Sequence, residues 1–395
     1  MSDANRIALR YVEESTYGTT PTGSGTDAMQ EVRFTSEGLK QESGSAESEE
    51  IRDDRQTADV KRLSVGASGP INFELTYGSF DDFLKAALMS AGWSTAITVG
   101  PVSTISFVQS GSYIRGANGA FASFAAYQWI KVSGATNAGN NNYFQITEVG
   151  DYGSGNSDNQ LTIQGGTLTD ESAGQSITIV MGAQVTNGVT ETSYSIEKEY
   201  KDLSNIFSIL TGMMINTMEM SIESEAIING NFGFLGKDET SAAATACVGS
   251  AVAVNSNPVM NGVDDVSKVL ENMSSKQIIS GSFSLNNNLR QQTVVGTLGP
   301  IGIGTGSISI SGTLRAYFTT VTALDKFLNQ TSTNLAFVME DTDGNAYIID
   351  FPEVKFTDGA RVAESKDSDI VEDLTWSAYR DSTQDVTIRV VRFAA

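Results

Sequence analysis

The sequence contains no histidine and a single cysteine, Cys247, among its 395 residues. Without histidine, the usual catalytic triads, imidazole acid–base steps and most transition-metal sites cannot be built. One cysteine cannot form a disulfide within the chain, so nothing indicates an oxidising compartment. Cys247 lies in an alanine-rich stretch with no histidine to activate its thiol, and we expect no nucleophilic role for it.

Positive charge is also scarce. The chain has 25 Lys and Arg residues against 47 Asp and Glu residues, which gives a formal net charge of −22. Proteins hold the phosphate backbone of nucleic acids through cationic side chains, so this chain is expected to repel DNA rather than bind it. No apolar run reaches the length of a membrane span, and residues 1–6 lack the apolar core of a signal peptide. We therefore expect no membrane insertion. We expect the protein to be made in a cytoplasm and either to stay there or to leave it by a route other than a cleaved signal.

Proline is rare, with 6 residues, whereas glycine is abundant, with 38. Runs of Ile, Val, Thr and Phe recur between clusters of Gly, Asn and Ser, which is typical of a mainly β protein. The length allows two or three domains with ample core.

A strand followed by a helix is predicted over residues 68–88. Apolar and polar residues alternate from position 71 to position 76, which indicates a strand with one polar face, formed by Asn72, Glu74 and Thr76. From Phe80 to Ala91 the apolar residues follow helical spacing, and Ser79 with Asp82 has the pattern of a capping box.

The same unit recurs over residues 311–328, where Thr322 with Asp325 makes a second capping box. A strand–helix unit that occurs twice indicates an internal duplication. Equating Phe83 with Phe327 gives an offset of 244, whereas equating Asp238 with Asp381 gives 143. The difference, 244 − 143 = 101, is close to the length of a segment that interrupts the first copy.

That interrupting segment runs from about Trp93 to Gly188 and carries little charge. It contains short strand-like runs at 105–108, 129–132, 143–146, 161–163 and 177–180, separated by turns rich in Gly, Asn and Ser. This texture predicts a small β-sandwich or barrel that folds independently.

The rest of each copy is also mainly strand. Strands are predicted at 194–200, 218–222 and 231–235 in the first copy, and at 335–340, 347–351 and 374–379 in the second. A short helix capped by Asp202 is predicted over 202–211, and 264–273 fits either a helix or a strand. The predicted domains are a first domain over 1–92 and 189–240, an insert over 93–188, a linker over 241–262 and a second domain over 263–395.

No motif indicates an enzyme. The acidic residues lie in polar loops rather than in apolar settings that tune a catalytic pKa. Residues 341–345 begin like a calcium loop, but the distal glutamate is missing and a β-turn explains them better. The glycine-rich stretches at 296–299 and 302–306 lack the Lys-Ser/Thr of a phosphate loop. We expect no catalysis, no metal and no cofactor.

Residues 41–60 form a polar segment, in which 47–55 carries charge of both signs around the single apolar residue Ile51. Two interpretations are equally open. The segment is either a solvated loop of a monomer or a loop by which a self-assembling ring reaches its neighbour.

Several short motifs, taken in order, resemble those of the major tail tube proteins of long-tailed bacteriophages, the siphophage type. They are Glu14-Ser-Thr-Tyr-Gly-Thr-Thr-Pro, Thr35-Ser-Glu-Gly-Leu, Glu50-Ile-Arg-Asp-Asp-Arg-Gln, Ser284-Leu-Asn-Asn-Asn-Leu-Arg, Val295-Gly-Thr-Leu-Gly, Ser311-Gly-Thr-Leu-Arg-Ala-Tyr-Phe, Asp343-Gly-Asn-Ala-Tyr and Phe351-Pro-Glu-Val-Lys. The similarity covers nearly everything outside 93–190. The insert resembles the small β decorations that such proteins carry outside the tube.

The resemblance implies a mainly β fold of two tandem tail-tube domains, each a sandwich or barrel with a flanking helix, plus an Ig-like or barrel insert. It implies stacked rings that form a tube around the tape measure protein, with tail terminator and distal tail proteins as further partners. Double-stranded DNA would pass through this tube without specific binding. Two tube domains per chain imply a trimeric ring with pseudo-sixfold symmetry, the alternative being a hexamer. The protein would be assembled in the host cytoplasm and located in the virion tail.

Two groups of candidate residues follow from the resemblance. The candidates for lining the channel are Asn72, Glu74, Thr76, Thr313 and Arg315, of which Arg315 departs from an all-acidic lining. The candidates for contacts between rings or subunits are Glu49, Glu50, Arg52, Asp53, Asp54, Arg55, Asn286, Asn287, Asn288 and Arg290. The alternative functions are a β-rich adhesin, a capsid or tail decoration protein, or the tube protein of a related contractile injection system.

Overall fold

A computed structural model describes residues 3–22, 28–362, 365–367 and 369–395. Most of these residues lie in β-strands, and the described part of the chain has two α-helices. The short 3-10 helices are Ala4–Arg6, Gln109–Gly111 and Ala138–Asn140. The first elements are β1 Ile7–Glu13, β2 Gln30–Glu31, β3 Ser36–Glu37, β4 Lys40–Glu47, β5 Val60–Glu74 and helix α1 Asp81–Ala87.

The next segment forms a sheet of its own. Its strands are β6 Ile97–Val102, β7 Ser106–Val108, β8 Tyr113–Arg115, β9 Trp129–Ser133, β10 Tyr143–Gly150, β11 Gln160–Gln164 and β12 Ile177–Met181. They pair in the order β6-β12-β9-β10-β11-β8-β7 and enclose a separate hydrophobic core. All five runs predicted as strands in this segment are confirmed.

Residues 290–292 and 302–304 pair with each other as a separate two-stranded sheet. The other remaining strands return to the main sheet, which joins eighteen strands of the described residues in one hydrogen-bonded network. Up to the middle of the chain the remaining elements are β13 Ala183–Thr186, β14 Tyr194–Tyr200, β15 Phe207–Glu223, β16 Asn229–Gly236, β17 Asp238–Ala242, β18 Val266–Glu271 and β19 Ser274–Lys276. The last ones are β20 Ile278–Asn286, β21 Arg290–Gln292, β22 Gly302–Gly304, β23 Ser309–Tyr317, helix α2 Thr322–Leu328, β24 Thr333–Glu340, β25 Ala346–Val362, β26 Val371–Ala378 and β27 Arg389–Phe393.

The insert ends earlier than its predicted boundary at residue 188. Strand β13 pairs with β27, for example Ala183 with Arg392, and so belongs to the main sheet. The separate sheet therefore spans Ile97 to Met181.

The two halves of the main sheet repeat one pairing order. In the first half β14 pairs with β15, β15 with β16 and β16 with β5. In the second half β24 pairs with β25, β25 with β26 and β26 with β23. The two helices occupy the same place in this order and are both seven residues long.

The offset between the helices is 322 − 81 = 241. It matches Phe83 to Leu324, so the sequence-based match of Phe83 to Phe327 was displaced by three residues. That error is close to one helical turn, because residues three and four apart on a helix share a face.

Neither capping box forms. Helix α1 starts after Phe80 and helix α2 after Val321, and neither has a side-chain cap. The hydroxyl of Ser79 instead accepts a hydrogen bond from Thr76 Oγ1. The buried stripe of α1 includes Phe80, Phe83 and Leu84 as predicted, but Ala91 lies beyond the helix end and is exposed.

The helix predicted over 202–211 is wrong, because residues from Phe207 onward belong to the seventeen-residue strand β15. Burial there follows a period of two, with Ser208 and Leu210 buried and Ile209 half-buried. Pairing with β14 and β17 on the two sides of this segment decides the conformation, as tertiary context often overrides local propensity. Residues 264–273, left open from sequence, contain strand β18.

The insert packs on the second half of the main sheet. Trp129 and Tyr143 of the insert share a buried cluster with Val391 and Phe393 of β27. Lys268 Nζ of β18 donates hydrogen bonds to Asn142 Oδ1, Tyr143 O and Gly165 O of the insert at 3.0, 2.7 and 2.8 Å. Burial lowers the pKa of Lys268 to about 8.

Candidate functional site

One face of the main sheet is polar across six neighbouring strands, β5, β16, β15, β20, β23 and β26. We call it the polar face, and two rows of paired residues define it. The first row is Asn72, Asn231, Glu219, Ser284, Ser311 and Ser377. The second row is Glu74, Asn229, Ser221, Ser282, Thr313 and Thr375. The face thus crosses from the first half of the sheet to the second without interruption.

The polar face exists because polar and apolar residues alternate along each strand. Between the two rows, the side chains of Phe73, Met220 and Trp376 point to the opposite side and lie in the main core. Two glycines on that side make room for aromatic rings. A Cβ at Gly312 would lie 2.4 Å from the ring of Trp376, and one at Gly230 would lie 2.8 Å from the ring of Phe73. The packed aromatic layer therefore supports the sheet from behind.

Side chains on the polar face bond to one another across strands. Asn231 Nδ2 donates to Glu219 Oε2 at 2.9 Å, and the hydroxyls of Ser282 and Thr313 lie 2.8 Å apart. Asn72 Nδ2 donates to Ser36 Oγ at 2.7 Å, at the first-half end of the rows. These lateral hydrogen bonds hold amide and hydroxyl groups of neighbouring strands together on the polar face.

The charges on and beside the two rows are mostly negative. Glu219 and Glu223 are exposed on β15, and Glu74 is half-buried on β5. The cation Arg315 lies 3.6 Å from Asp373 on the neighbouring strand, so a carboxylate offsets its charge. A surface with this composition offers neither a cationic cluster for phosphates nor an apolar patch for a base.

Four of the five channel-lining candidates, Asn72, Glu74, Thr313 and Arg315, lie on this side of the sheet. Glu74 and Thr313 share one row although 239 positions separate them in sequence, as 313 − 74 = 239. The assignment of Thr76 to the channel lining is wrong, since this residue is 0% exposed and its hydroxyl donates to Ser79 Oγ. Strand β5 ends at Glu74, so the alternation no longer applies at position 76.

The charged loop candidates are all exposed, in the connection between β4 and β5. Arg52 pairs with Asp54 within the loop, with 2.7 Å between Arg52 Nη2 and Asp54 Oδ2. This pair holds the pKa of Asp54 below its usual value through a hydrogen bond from Arg52. Asp59, the last residue of this connection, pairs with Lys61 of β5, with 2.5 Å between Asp59 Oδ2 and Lys61 Nζ.

The second contact group is divided. Asn288 and Arg290 are exposed and Asn286 is half-buried. Asn287 is only 2% exposed, and its Nδ2 donates to Ala87 O at 2.9 Å and Ile215 O at 3.1 Å. Asn287 therefore joins α1 to the sheet inside the chain, and its assignment as a surface contact is wrong.

Sequence reasoning missed the contribution of β15, β16 and β20 to the polar face. The signal was present, because Met218 to Ile222 and Ser280 to Asn286 both alternate between polar and apolar residues. What the sequence could not supply was the pairing of β15 with β20, which puts Glu219 opposite Ser284.

The described residues contain no group of three or more Cys, Asp or Glu side chains arranged to hold a metal ion. None of the helices in the described ranges is long and apolar enough to cross a membrane.

Comparison with known proteins gives one family match. The model of a family described as phage tail tube protein matches residues 4–378. A search of the curated proteins finds no match.

Proposed function

Because this chain belongs to the phage tail tube protein family, a family of structural tail proteins, we propose that it polymerises into stacked rings whose channel delivers double-stranded DNA. The observation that carries this proposal is the polar face, a continuous surface of amides, hydroxyls and carboxylates across both halves of the sheet. In the proposed ring this face lines the channel.

The charge of the polar face suits a channel for DNA. DNA carries one negative charge per phosphate, and it binds proteins tightly through released counterions when cations neutralise those phosphates. On the polar face the carboxylates of Glu219 and Glu223 are exposed, and Arg315 is offset by Asp373. A passing duplex is therefore repelled weakly and held nowhere, which suits transport without specific binding.

The repeated pairing order and the helix offset of 241 support two tube domains per chain. The first domain consists of residues 1–92 and 183–240, because β13 belongs to the main sheet, the second of residues 263–395, and 241–262 link them. With two domains per chain, three chains complete a ring of pseudo-sixfold symmetry. The insert, packed beside β27 away from the polar face, is proposed to lie outside the tube.

The remaining partners follow from this role. The tube surrounds the tape measure protein during assembly in the bacterial cytoplasm, and tail terminator and distal tail proteins cap its two ends. The mature protein is located in the siphophage type of virion tail. It acts as a structural protein without catalysis.

The experiment that tests the proposal is assembly of the purified protein. At high concentration it should form long hollow cylinders visible by negative-stain microscopy, and native mass spectrometry of a released ring should count three chains. Six chains per ring would overturn the tandem arrangement but not the tube. Discrete particles at every concentration would overturn the tube and favour an adhesin or decoration protein.

A further inference from the structure

Two strand edges of the main sheet have no partner strand in the described chain. Residues 358–361 of β25 pair with β26 on one side only. Residues 35–38, which contain β3, pair with β5 on one side only. Exposed strand edges are templates for pairing with another chain, so a folded protein either protects them or uses them.

The strand registers show that these two edges correspond to strands that pair with each other inside the chain. In the first half one row runs Ser36, Asn72, Asn231 and Glu219. In the second half the matching row runs Ser282, Thr313, Thr375 and Asp358. Asn72 and Thr313 differ by 313 − 72 = 241, the same offset as the two helices.

The matching rows relate β3 to β20 and the end of β25 to β15. Inside the chain, β15 and β20 join the two halves, with Glu219 opposite Ser284 and Ser221 opposite Ser282. The two free edges can therefore pair in the same register as β15 and β20. It puts Asp358 opposite Gly38, and Ala360 opposite Ser36.

The two helices differ in how much of their surface the chain covers. Helix α1 is covered by the second half of its own chain, where Tyr347 and Arg392 both donate to the Asp81 carboxylate. Its terminal apolar residues, Phe80 and Ala87, are fully buried.

Helix α2 has no such cover in the described chain. Its matching residues, Val321 and Leu328, are 52% and 65% exposed. The helix lies directly beside the free edge of β25, because a Cβ on Gly359 would be 3.4 Å from the Phe327 ring. The bare apolar surface and the bare edge thus adjoin.

We propose that the free edge of β25 pairs antiparallel with residues 35–38 of a second copy of this chain, in the register that joins β15 to β20. The first half of that second copy then covers α2 as the second half covers α1. Each copy presents one edge of each kind, so the contact is head-to-tail, the arrangement that forms a ring when its rotation closes. This inference rests on the proposed function and gives the ring its residue-level contact.

Disulfide trapping tests the register. In a Cys247→Ser background, the double variant Ser36→Cys/Ala360→Cys is allowed to assemble and is then oxidised. Directly opposed residues of an antiparallel pair have Cα atoms about 4.5–5.5 Å apart, within the range that a disulfide spans. The matched control is Ser221→Cys/Ser282→Cys, which occupies the corresponding pair inside one chain.

The expected result is a covalent trimer as the main product on a non-reducing gel, whereas the control pair closes within the monomer and leaves its mass unchanged. A register control, Ser36→Cys/Asp358→Cys, should crosslink several-fold more slowly because its residues are diagonal. If cylinders form but the Ser36→Cys/Ala360→Cys variant stays monomeric, or the Ser36→Cys/Asp358→Cys variant crosslinks faster, the proposed strand pairing is wrong. The proposal of a tube is then unaffected. If the unmodified protein forms neither rings nor cylinders, the proposed function fails as well.

Discussion

Asp350 is a fully buried carboxylate that ties the insert to the main sheet. Its Oδ2 accepts hydrogen bonds from Arg389 Nη1 at 2.9 Å, from Trp129 Nε1 at 3.1 Å and from Gln145 Nε2 at 3.3 Å. Burial raises the pKa of Asp350, and the Arg389 guanidinium opposes that shift. Since Trp129 and Gln145 belong to the insert, one side chain holds two parts of the fold together.

Replacing Asp350 with alanine should lower the free energy of unfolding by about 3–5 kcal/mol, because it leaves the Arg389 guanidinium buried without its carboxylate. Chemical denaturation of the monomer measures this. Asp343→Ala, which removes an exposed carboxylate of the hairpin before the same strand, should change the value by less than about 0.5 kcal/mol. Equal effects of the two variants would contradict the role assigned to Asp350.

At the residue scale, the sequence could predict which strand positions alternate but not which polar side chains are buried. Asn72 and Thr313 were assigned to the polar face correctly from alternation alone. Thr76 and Asn287 look equally polar in the sequence, yet their partners Ser79, Ala87 and Ile215 satisfy them inside the fold. A buried polar group depends on such tertiary partners, which no local pattern contains.

In the connection between β4 and β5, residues 48–59, every residue is exposed. The corresponding connection in the second half carries the hairpin β21–β22. This hairpin contacts the first half, where Gln291 Nε2 donates a 2.9 Å hydrogen bond to Gly236 O. One loop is thus docked and its counterpart is not. We propose that the undocked loop contacts the next ring of the tube.

Replacing residues 48–59 with Asn-Gly, a two-residue hairpin turn, should leave single rings intact but shorten or abolish cylinders. The charged groups that would pair across rings, including Glu49, Glu50 and Asp53, are then removed. Particle lengths in negative-stain images measure the effect. Shortening the exposed turn 151–158 of the insert serves as the control and should leave cylinder length unchanged. Full-length cylinders from the 48–59 variant would assign ring stacking to other elements.

The exposed side of α2 gives a separate test at the element scale. Leu328→Asp puts a charge where a second copy is proposed to cover the helix, and desolvating an unpaired carboxylate is costly. Rings should be lost while the melting temperature of the monomer stays nearly constant, as judged by native mass spectrometry and calorimetry. Val189→Asp alters an apolar residue that is 92% exposed, next to the end of α1, and should assemble normally. Assembly by both variants would remove α2 from the interface.

Elements whose apolar residues fit one periodicity, either that of a helix or that of a strand, were predictable from the sequence. A segment that fits both was not. The insert strands and both helices have clear patterns and were found. Residues 202–211 fit helical spacing by their apolar positions, but pairing with β14 and β17 makes Phe207 onward a strand. The repeat itself was detectable, yet its offset was read as 244 rather than 241, because a helix repeats its face every three to four residues.

At the scale of the whole molecule, the net charge of −22 disfavours binding of DNA, whose phosphates are held by cationic side chains. The sign of the net charge can be read from the sequence. Only the sheet pairing locates Glu219 in the middle of a surface that spans both halves. The distinction matters because charge outside a tube affects solubility, whereas charge inside its channel acts on the passing duplex.

Reversing the charge of Glu219 and Glu223 separates these two effects. Tubes of the Glu219→Lys/Glu223→Lys variant should retain double-stranded DNA at low salt, since each phosphate neutralised adds about −0.9 to the slope of log affinity against log salt. Co-sedimentation of labelled DNA with tubes, over a salt series, measures retention. Glu148→Lys/Asp151→Lys makes the same net change on exposed residues of the insert. If the polar face lines the channel, DNA that enters the first variant resists nuclease, while DNA bound to the second is on the outside and is digested. Nuclease-sensitive binding by both variants would put the polar face on the outer surface and overturn its assignment to the channel.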